Sequence, residues 1–275
     1  MYQFLSPKTI GEAKEHLAEK SNLKVLAGGT DLIIGLRDGA VHCDYIMDIK
    51  HIPELCEIGM TDDGLEVGAG VSLNAMLASG LCTGRYAALA DSGHELANSL
   101  LRNRATLAGN ICHASPGGDM LAPVLVLDAW VETLTPNGGR KIPLKDFFTG
   151  VKRHVLAADE MVVKTVFPRG DGTSAYHKKK RIRGHDLAQV GVAGSYAADG
   201  TLKLAFGAAG PTPVLIELGV FDPLALRAAR EEILDKAMSG ISPISDVRAS
   251  KEHRLAMARY LAGDVLDALL EKVGV

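Results

Sequence analysis

The sequence is poor in the residues that build metal clusters and disulfide frameworks. Its 275 residues include four cysteines, Cys43, Cys56, Cys82 and Cys112, with no Cys-x-x-Cys pair and no spacing typical of zinc or iron–sulfur sites. In a reducing compartment, free and mostly buried thiols are the simplest interpretation. We therefore expect no metal site on this chain.

A long apolar run and a basic arm are also missing. Glycines and charges interrupt every hydrophobic run before it reaches membrane-spanning length, and the first residues show no signal-peptide pattern. The net charge is −3, and the short basic run at 177–183, "HKKKRIR", is most simply a solvated loop. These features argue against a nucleic-acid partner and a membrane span, and they predict a cytoplasmic protein.

The first 52 residues alternate between strand and helix signals. Thr9 and Glu12 have the spacing of a capping box at the start of a helix. "KVLA" at 24–27 and "DYIMDI" at 44–49 predict strands, with a short helix, "DLIIGLRDG", between them. Strands joined in this way favour parallel pairing.

From Ile52 onward, hairpin signals dominate, and the pattern predicts an α+β arrangement. Asp-Gly pairs at 63–64 and 199–200 predict two hairpin turns. Helices are predicted over 72–79 and 85–97, strands over 123–134 and 160–167, and a boundary at Pro168 and "RGDGTS". The tail from Asp222 is predicted to be helical, with an apolar face formed by Leu255, Ala258, Tyr260, Leu261, Val265, Leu266 and Leu269.

Two glycine-rich segments suggest an anion site. The segments are "KVLAGGTDL" at 24–32 and "TLAGNICHASPGGD" at 106–119. Residues without side chains let backbone N–H groups approach a diphosphate, and hydroxyl or amide side chains add neutral donors. Neither segment is a GxGxxG or Walker A loop, and each alone is more typical of an ordinary turn.

Four motifs in order carry a family resemblance. These are "LAGGTDLI" (26–33), "TLAGNICHASPGGDMLAPVLVLDA" (106–129), "GHDLAQVGVA" (184–193) and "SDVRASKEHR" (245–254). Together they resemble the FAD-binding medium subunit of molybdenum hydroxylases, the xanthine dehydrogenase and carbon monoxide dehydrogenase type, over essentially the whole chain. One departure is Ala108, which stands where a "GGN" loop has its first glycine.

The resemblance implies an FAD-binding domain of the vanillyl-alcohol-oxidase (PCMH) type at 1–168, in subdomains of about 1–52 and 53–168. It further implies a C-terminal domain at 172–275 with a three-stranded antiparallel sheet and a helical bundle. Some relatives insert a cysteine-rich loop that carries an iron–sulfur cluster. This sequence shows no such insertion, so no cluster is expected.

The resemblance also implies the cofactor-binding residues, which number fifteen. In the first loop they are Ala27, Gly28, Gly29, Thr30 and Asp31, supported by Val25, Leu26 and Leu32. In the second they are Thr106, Gly109 and Asn110, with Ser115 and Asp119 reaching ribityl or ribose hydroxyls. Val162 would touch the flavin ring, and Lys178 would offset negative charge on the reduced isoalloxazine.

Three local alternatives stay open on the residues alone. Asp119 has the position of a helix N-cap for "MLAPVLVL", and Asn110 has a residue type that tolerates a left-handed turn. His113 is interpreted as a partly exposed loop residue that could also line the flavin.

The function implied is electron transfer without a catalytic residue on this chain. A large molybdopterin subunit and a small [2Fe-2S] subunit would deliver electrons to FAD, which would pass them to NAD⁺, a quinone or another acceptor. Two alternatives remain: a free-standing FAD-dependent small-molecule oxidoreductase of the same fold, and a regulatory module whose glycine loops bind no cofactor.

Overall fold

A computed structural model describes residues 2–274, and its first part is a small parallel sheet. The elements are β1 (Gln3–Leu5), α1 (Ile10–Glu19), β2 (Leu23–Leu26), α2 (Leu32–Arg37) and β3 (Tyr45–Asp48). The strands are parallel in the order β1-β3-β2, which confirms the predicted pairing. Thr9 Oγ1 accepts from the Glu12 N–H at 3.1 Å, while the Glu12 carboxylate accepts from the Lys8 N–H at 2.8 Å. The capping box therefore forms with Lys8 as its second donor.

A mixed helical and antiparallel part follows. Its strands are β4 (Ile58–Met60), β5 (Gly64–Gly68), β6 (Trp130–Leu134), β7 (Lys141–Pro143), β8 (Phe148–Gly150), β9 (Arg153–His154) and β10 (Met161–Pro168). Its helices are α3 (Leu73–Ala78), α4 (Ala87–Glu95), α5 (Ser99–Arg102), α6 (Leu107–His113) and α7 (Leu121–Val126), with single 3₁₀ turns at Pro53–Cys56, Gly84–Tyr86 and Leu144–Asp146. Five strands form one sheet in the order β4-β5-β10-β6-β7, and the predicted hairpin β4–β5 is present.

The strand prediction for 123–134 is half wrong. Residues 130–134 form β6, but Leu121–Val126 is the helix α7, and all six of its residues are buried. A helix that is buried on every side has no polar face, so its sequence shows no helical periodicity. Pro123 lies in the first turn, where its missing N–H leaves no helical bond unmade.

The C-terminal part contains a four-stranded antiparallel sheet rather than three strands. Its elements are β11 (Gly172–Lys179), β12 (Val190–Ala197), β13 (Thr201–Gly207), β14 (Val214–Val220), α8 (Pro223–Ala228), α9 (Arg230–Ser239) and α10 (Lys251–Lys272), with the strands in sequential order. Strand β11 includes residues 177–179, so the expectation of a solvated loop is wrong for these three residues of the basic run. The predicted hairpin at Asp199–Gly200 joins β12 to β13.

Both faces of this sheet are mostly buried along β11, β12 and β13, whereas the edge strand β14 is largely exposed or half-buried. Tyr176, Ala193 and Ala205 belong to a core shared with the parallel sheet and the five-stranded sheet. Their neighbours Ala175, Val192 and Leu204 point the other way, into a second core that includes residues of α9 and α10. Because side chains alternate along a strand, the sheet separates the two cores and contributes to each of them.

Helix α10 covers the outer face of the sheet, with one departure from the predicted apolar face. Tyr260 is 62% exposed, whereas Arg254 is buried at 3% exposure. Leu261, Val265 and Leu269 are buried as predicted. Among residues 2–274, no helix combines the length and the apolar character needed to cross a membrane.

A carboxylate at the end of the five-stranded sheet is held by a dense set of hydrogen bonds. Glu160 has a side chain that is 1% exposed. It accepts from Arg140 Nε and Nη2, both at 2.8 Å, from Thr133 Oγ1 at 2.7 Å and from the Ala157 N–H at 3.1 Å. The hydrogen bonds from Arg140, foremost, lower the pKa of Glu160 from 4.5 to about 2, against the opposing effect of burial.

We expect Glu160→Gln to lower the free energy of unfolding by about 1–2 kcal/mol at pH 7, discounted because Arg140 is largely exposed. A depressed pKa stabilises the fold above the unfolded value, so the difference from wild type should shrink as the pH falls from 4.5 towards about 2. Urea unfolding at several pH values measures the difference in the free energy of unfolding. The control is Glu15→Gln, a substitution of an exposed residue. A pH-independent difference would contradict this account.

Candidate functional site

The first glycine loop meets the backbone of the two residues directly before the second loop. A Cβ atom on Gly28 would lie 2.7 Å from the carbonyl carbon of Arg104 and 2.9 Å from Cα of Ala105. Side chains do not pack this closely, so the approach requires glycine. Gly29 has φ +78°, a left-handed conformation that also favours glycine. Both glycines of the first loop are thus explained by geometry.

Lys50 anchors the first loop from the neighbouring strand. Its ammonium group donates to the Ala27 carbonyl at 3.0 Å and to Asp48 Oδ1 at 2.6 Å. Lys50 is not among the site residues expected from the sequence. A signal was present, because Lys50 follows β3 and the carboxyl ends of parallel strands share one edge of a sheet.

The second loop begins as the N-terminus of α6. Thr106 is the N-cap, and its Oγ1 accepts from the Gly109 N–H at 2.9 Å. Asn110 lies inside this helix, so the alternative of a left-handed turn at Asn110 is wrong. The left-handed residue is Ala114, with φ +48°, at the end of α6.

The Asn110 side chain points into the second Gly-Gly turn. Its Oδ1 is buried, and no hydrogen-bond donor reaches it from the described part of the chain. A Cβ on Gly118 would come within 3.1 Å of this atom, whereas a Cβ on Gly117 would meet nothing within 4 Å. The turn therefore presents bare backbone beside an unpaired amide oxygen, an arrangement that can accept hydroxyl donors from a ligand.

An imidazole and a carboxylate connect the loops a second time. His113 Nε2, at the end of α6, lies 3.7 Å from Asp31 Oδ1, at the start of α2. The His113 side chain is 28% exposed, which confirms the predicted partial exposure. His113 is the last residue of α6, however, so the expectation of a loop residue is wrong. The two glycine segments thus form one continuous surface.

Asp119 closes the second loop and is buried at 7% exposure. Its Oδ1 accepts from the Tyr176 hydroxyl at 3.1 Å, and its Oδ2 accepts from the Lys178 ammonium group at 2.8 Å. The N-cap alternative is wrong, since α7 has Met120 as its N-cap and no side-chain cap bond. Burial raises the pKa of Asp119, and the charge and hydrogen bond of Lys178 oppose that rise.

The remaining candidate site residues differ in how close they lie to the two glycine loops. Ser115 is half-buried in the second loop, and its carbonyl accepts from the Gly118 N–H at 2.8 Å. Val162 is buried in β10, a strand that contacts α6. Leu26 is buried at the end of β2, while Val25, Thr30 and Leu32 are half-buried beside the first loop. The structure thus gathers the loop residues and Lys178, and it brings Val162 near only through α6.

The cysteines show no arrangement for metal binding. Cys43, Cys56, Cys82 and Cys112 are free thiols, and residues 2–274 contain no group of three or more His, Cys, Asp or Glu side chains suited to a metal ion. Burial raises the pKa of Cys112 to about 12 and that of Cys82 to about 11. Both thiols therefore stay protonated at neutral pH.

We expect Gly28→Ala to destabilise the cofactor-free protein by about 1–3 kcal/mol, because the new methyl group overlaps the backbone at Arg104. Gly117→Ala is the matched control in the second loop, where the added Cβ meets open space, and we expect a change within about 0.5 kcal/mol. Urea unfolding followed by the fluorescence of Trp130, the one tryptophan of the sequence, measures both. Equal stabilities would show that the loops do not touch.

Comparison with known proteins identifies an FAD-binding domain. Residues 1–170 match the model of the FAD binding domain in molybdopterin dehydrogenase. The xanthine dehydrogenase FAD-binding subunit of Escherichia coli O157:H7 is 30% identical, covering 100% of this chain and 99% of the relative. The carbon monoxide dehydrogenase medium chain of Hydrogenophaga pseudoflava is also 30% identical, over 97% of this chain and 96% of the relative.

A solved structure shows the same relationship to carbon monoxide dehydrogenase. The carbon monoxide dehydrogenase from Hydrogenophaga pseudoflava that lacks the Mo-pyranopterin moiety contains a chain with 29% identity and a TM-score of 0.85, with 98% of this chain and 96% of that chain covered. This likeness confirms the predicted α+β fold class with its PCMH-type FAD-binding architecture. The chain therefore belongs to the family of FAD-binding domains of the molybdopterin dehydrogenases, a family of oxidoreductase subunits.

Proposed function

We propose that this chain binds FAD on the joined glycine loops and serves as the electron-transfer flavoprotein of a molybdenum hydroxylase complex. The observation that carries the proposal is the backbone contact of Gly28 with Arg104 and Ala105, which merges the two loops into one surface. Such a surface offers main-chain N–H groups to a diphosphate without side chains in the way.

Different loop residues would contact different parts of the dinucleotide. Ala27 to Asp31 would lie along the diphosphate, positioned by Val25, Leu26 and Leu32. Thr106 would act indirectly, since its hydroxyl is already bonded to the Gly109 N–H at 2.9 Å and fixes the start of α6. Asn110 would lie beside the diphosphate with the rest of the second loop, where its unpaired Oδ1 is a suitable acceptor for a nearby hydroxyl group. Ser115 would face the hydroxyl groups of the cofactor.

Asp119, Lys178 and Val162 would surround the flavin end of the cofactor. Each Asp119 oxygen has one protein donor, and a carboxylate oxygen can accept a second hydrogen bond from a ribityl hydroxyl. The buried Lys178 cation would stabilise negative charge nearby, where low polarity strengthens the interaction. Val162 would supply an apolar contact from β10.

FAD would supply the exchange between one-electron and two-electron carriers, and the chain would bind, orient and shield it. The electrons would come from a large molybdopterin-binding subunit by way of a small [2Fe-2S] subunit, and would leave to NAD⁺, a quinone or another acceptor. The printed names of the relatives, "FAD-binding subunit" and "medium chain", support a complex over a free-standing oxidoreductase. We place the complex in the cytoplasm, where its free thiols stay reduced.

We also propose the division into an FAD-binding domain at 1–168, with subdomains of about 1–52 and 53–168, and a C-terminal domain at 172–275. The two hydrophobic cores support it. The inward face of the sheet β11–β14 would form the contact between these domains.

We expect Asn110→Asp to weaken FAD binding by about fivefold or more, because a carboxylate near the diphosphate adds repulsion of roughly 1–4 kcal/mol. Asn137→Asp, in the exposed turn between β6 and β7, is the matched control with the same change of charge. Titration of FAD into the deflavinated chain, followed by flavin fluorescence, gives both dissociation constants. Equal constants would contradict the placement of the second loop, and a wild-type protein without FAD affinity would contradict the function.

The role in a complex is tested by purifying the untagged chain from its host under mild conditions. We expect two further chains, one with molybdopterin and one with [2Fe-2S] clusters. Substrates named for relatives, such as xanthine and carbon monoxide, are suitable first probes. A substrate of the complex should bleach the flavin absorbance of the complex and leave that of the isolated chain unchanged. An isolated chain that oxidises substrate at the full rate would favour the free-standing enzyme instead.

A further inference from the structure

A buried hydrogen-bond network runs from the C-terminal sheet to the end of the second glycine loop. The Tyr176 hydroxyl donates to Asp119 Oδ1 at 3.1 Å, and Lys178 Nζ donates to Asp119 Oδ2 at 2.8 Å and to the Glu95 carbonyl at 3.2 Å. Tyr176 and Lys178 both lie on β11, two positions apart, so their side chains leave the same face of the strand. Neither residue belongs to a glycine loop.

The burial of this network is not explained by the stability of the fold alone. Lys178 has a side-chain exposure of 0%, and Tyr176 is buried at 4%. A buried ion pair contributes little net stability compared with well-packed apolar residues, because both charges lose their hydration. Buried ionisable groups that converge at a binding loop are typical of functional sites. A cation held at the end of a proposed FAD loop fits that pattern.

The absence of a side chain at Gly191 leaves room for the Tyr176 hydroxyl group. Gly191 on β12 lies against it, and a Cβ at Gly191 would sit 3.0 Å from both Cε2 and Cζ of the Tyr176 ring and closer still to the hydroxyl oxygen. Gly191 thus allows the phenol to lie where it bonds Asp119. Burial, and then the charge of Asp119, raises the pKa of Tyr176 well above 10, so the phenol keeps its proton and remains the donor.

We propose that Tyr176 is a positioning residue of the flavin site, which fixes Lys178 through the shared carboxylate of Asp119. The inference rests on the proposed FAD site and extends it to a residue outside both glycine loops. The phenol O–H takes one carboxylate oxygen and thereby orients the other towards Lys178. It also places the positive end of its dipole beside Asp119, which reduces the negative potential that the carboxylate exerts on a bound flavin.

The test is Tyr176→Phe in the full chain loaded with FAD. We expect FAD affinity to fall about 3- to 10-fold, as for one lost hydrogen bond in the network. We also expect the midpoint potential of the bound flavin to shift to lower values, because the positive end of the phenol dipole is removed. Fluorescence titration measures the affinity, and a reductive titration against reference dyes measures the potential.

Tyr196→Phe is the matched control. It removes a phenol O–H from the adjacent strand β12, where the hydroxyl donates to the Phe221 carbonyl at 2.7 Å in the second core. It should cost similar thermal stability without changing the affinity for FAD or the flavin potential. Gly191→Ala, which displaces the Tyr176 ring, should change both quantities in the same direction as Tyr176→Phe.

The outcomes separate this inference from the proposed function. A Tyr176→Phe protein with the affinity and potential of wild type overturns the positioning role, as does a Tyr196→Phe control with equal shifts. A wild-type protein that binds no FAD overturns the proposed function, and the positioning role falls with it.

Discussion

The arrangement of the site depends on one main-chain contact, that of Gly28 with Arg104 and Ala105. With no side chain between the two segments, their separation is set by van der Waals contact of backbone atoms and cannot vary much. The Ala105 carbonyl accepts from the Leu73 N–H at 2.8 Å, which holds the contact against α3. Thr106 follows directly as the N-cap of α6. The same contact therefore fixes where α6 begins and, one turn later, where the Asn110 side chain lies.

A second constraint is the burial of both faces of the strands β11, β12 and β13. Small polar side chains make the inward face compatible with close packing: Ser195 Oγ donates to the Val126 carbonyl at 2.7 Å, and Ser174 Oγ accepts from the Ala88 N–H at 2.9 Å. These hydroxyls satisfy backbone groups that would otherwise be buried without partners. Because the sheet is held this firmly against α4 and α7, the Lys178 ammonium group can reach Asp119 with little freedom to move.

Structural features that depend on residues close together in the sequence can be predicted from it. Features that depend on distant partners cannot. The capping box at Thr9 and the turn at Asp199–Gly200 are encoded within a few residues, and both formed. The sequence pattern of α7 indicates a strand instead of a helix, because burial on every side removes the polar positions that reveal a helix. Lys178 was a candidate, but its burial depends on Asp119, 59 residues away, and nothing in the local pattern indicates that pairing.

The position of Tyr176 and Lys178 also bears on which parts of the chain complete the site. The family model of the FAD-binding domain matches residues 1–170, yet both of these side chains follow that region. A third hydrogen bond also runs from the C-terminal sheet to the second glycine loop. The Ala208 N–H, at the end of β13, donates to the Pro116 carbonyl at 2.6 Å. Backbone and side-chain contacts from the C-terminal sheet thus hold the loop at Pro116 and at Asp119. In the proposed FAD site, the first 170 residues would supply the surface for a diphosphate, and the sheet that follows would supply the cation beside the second loop.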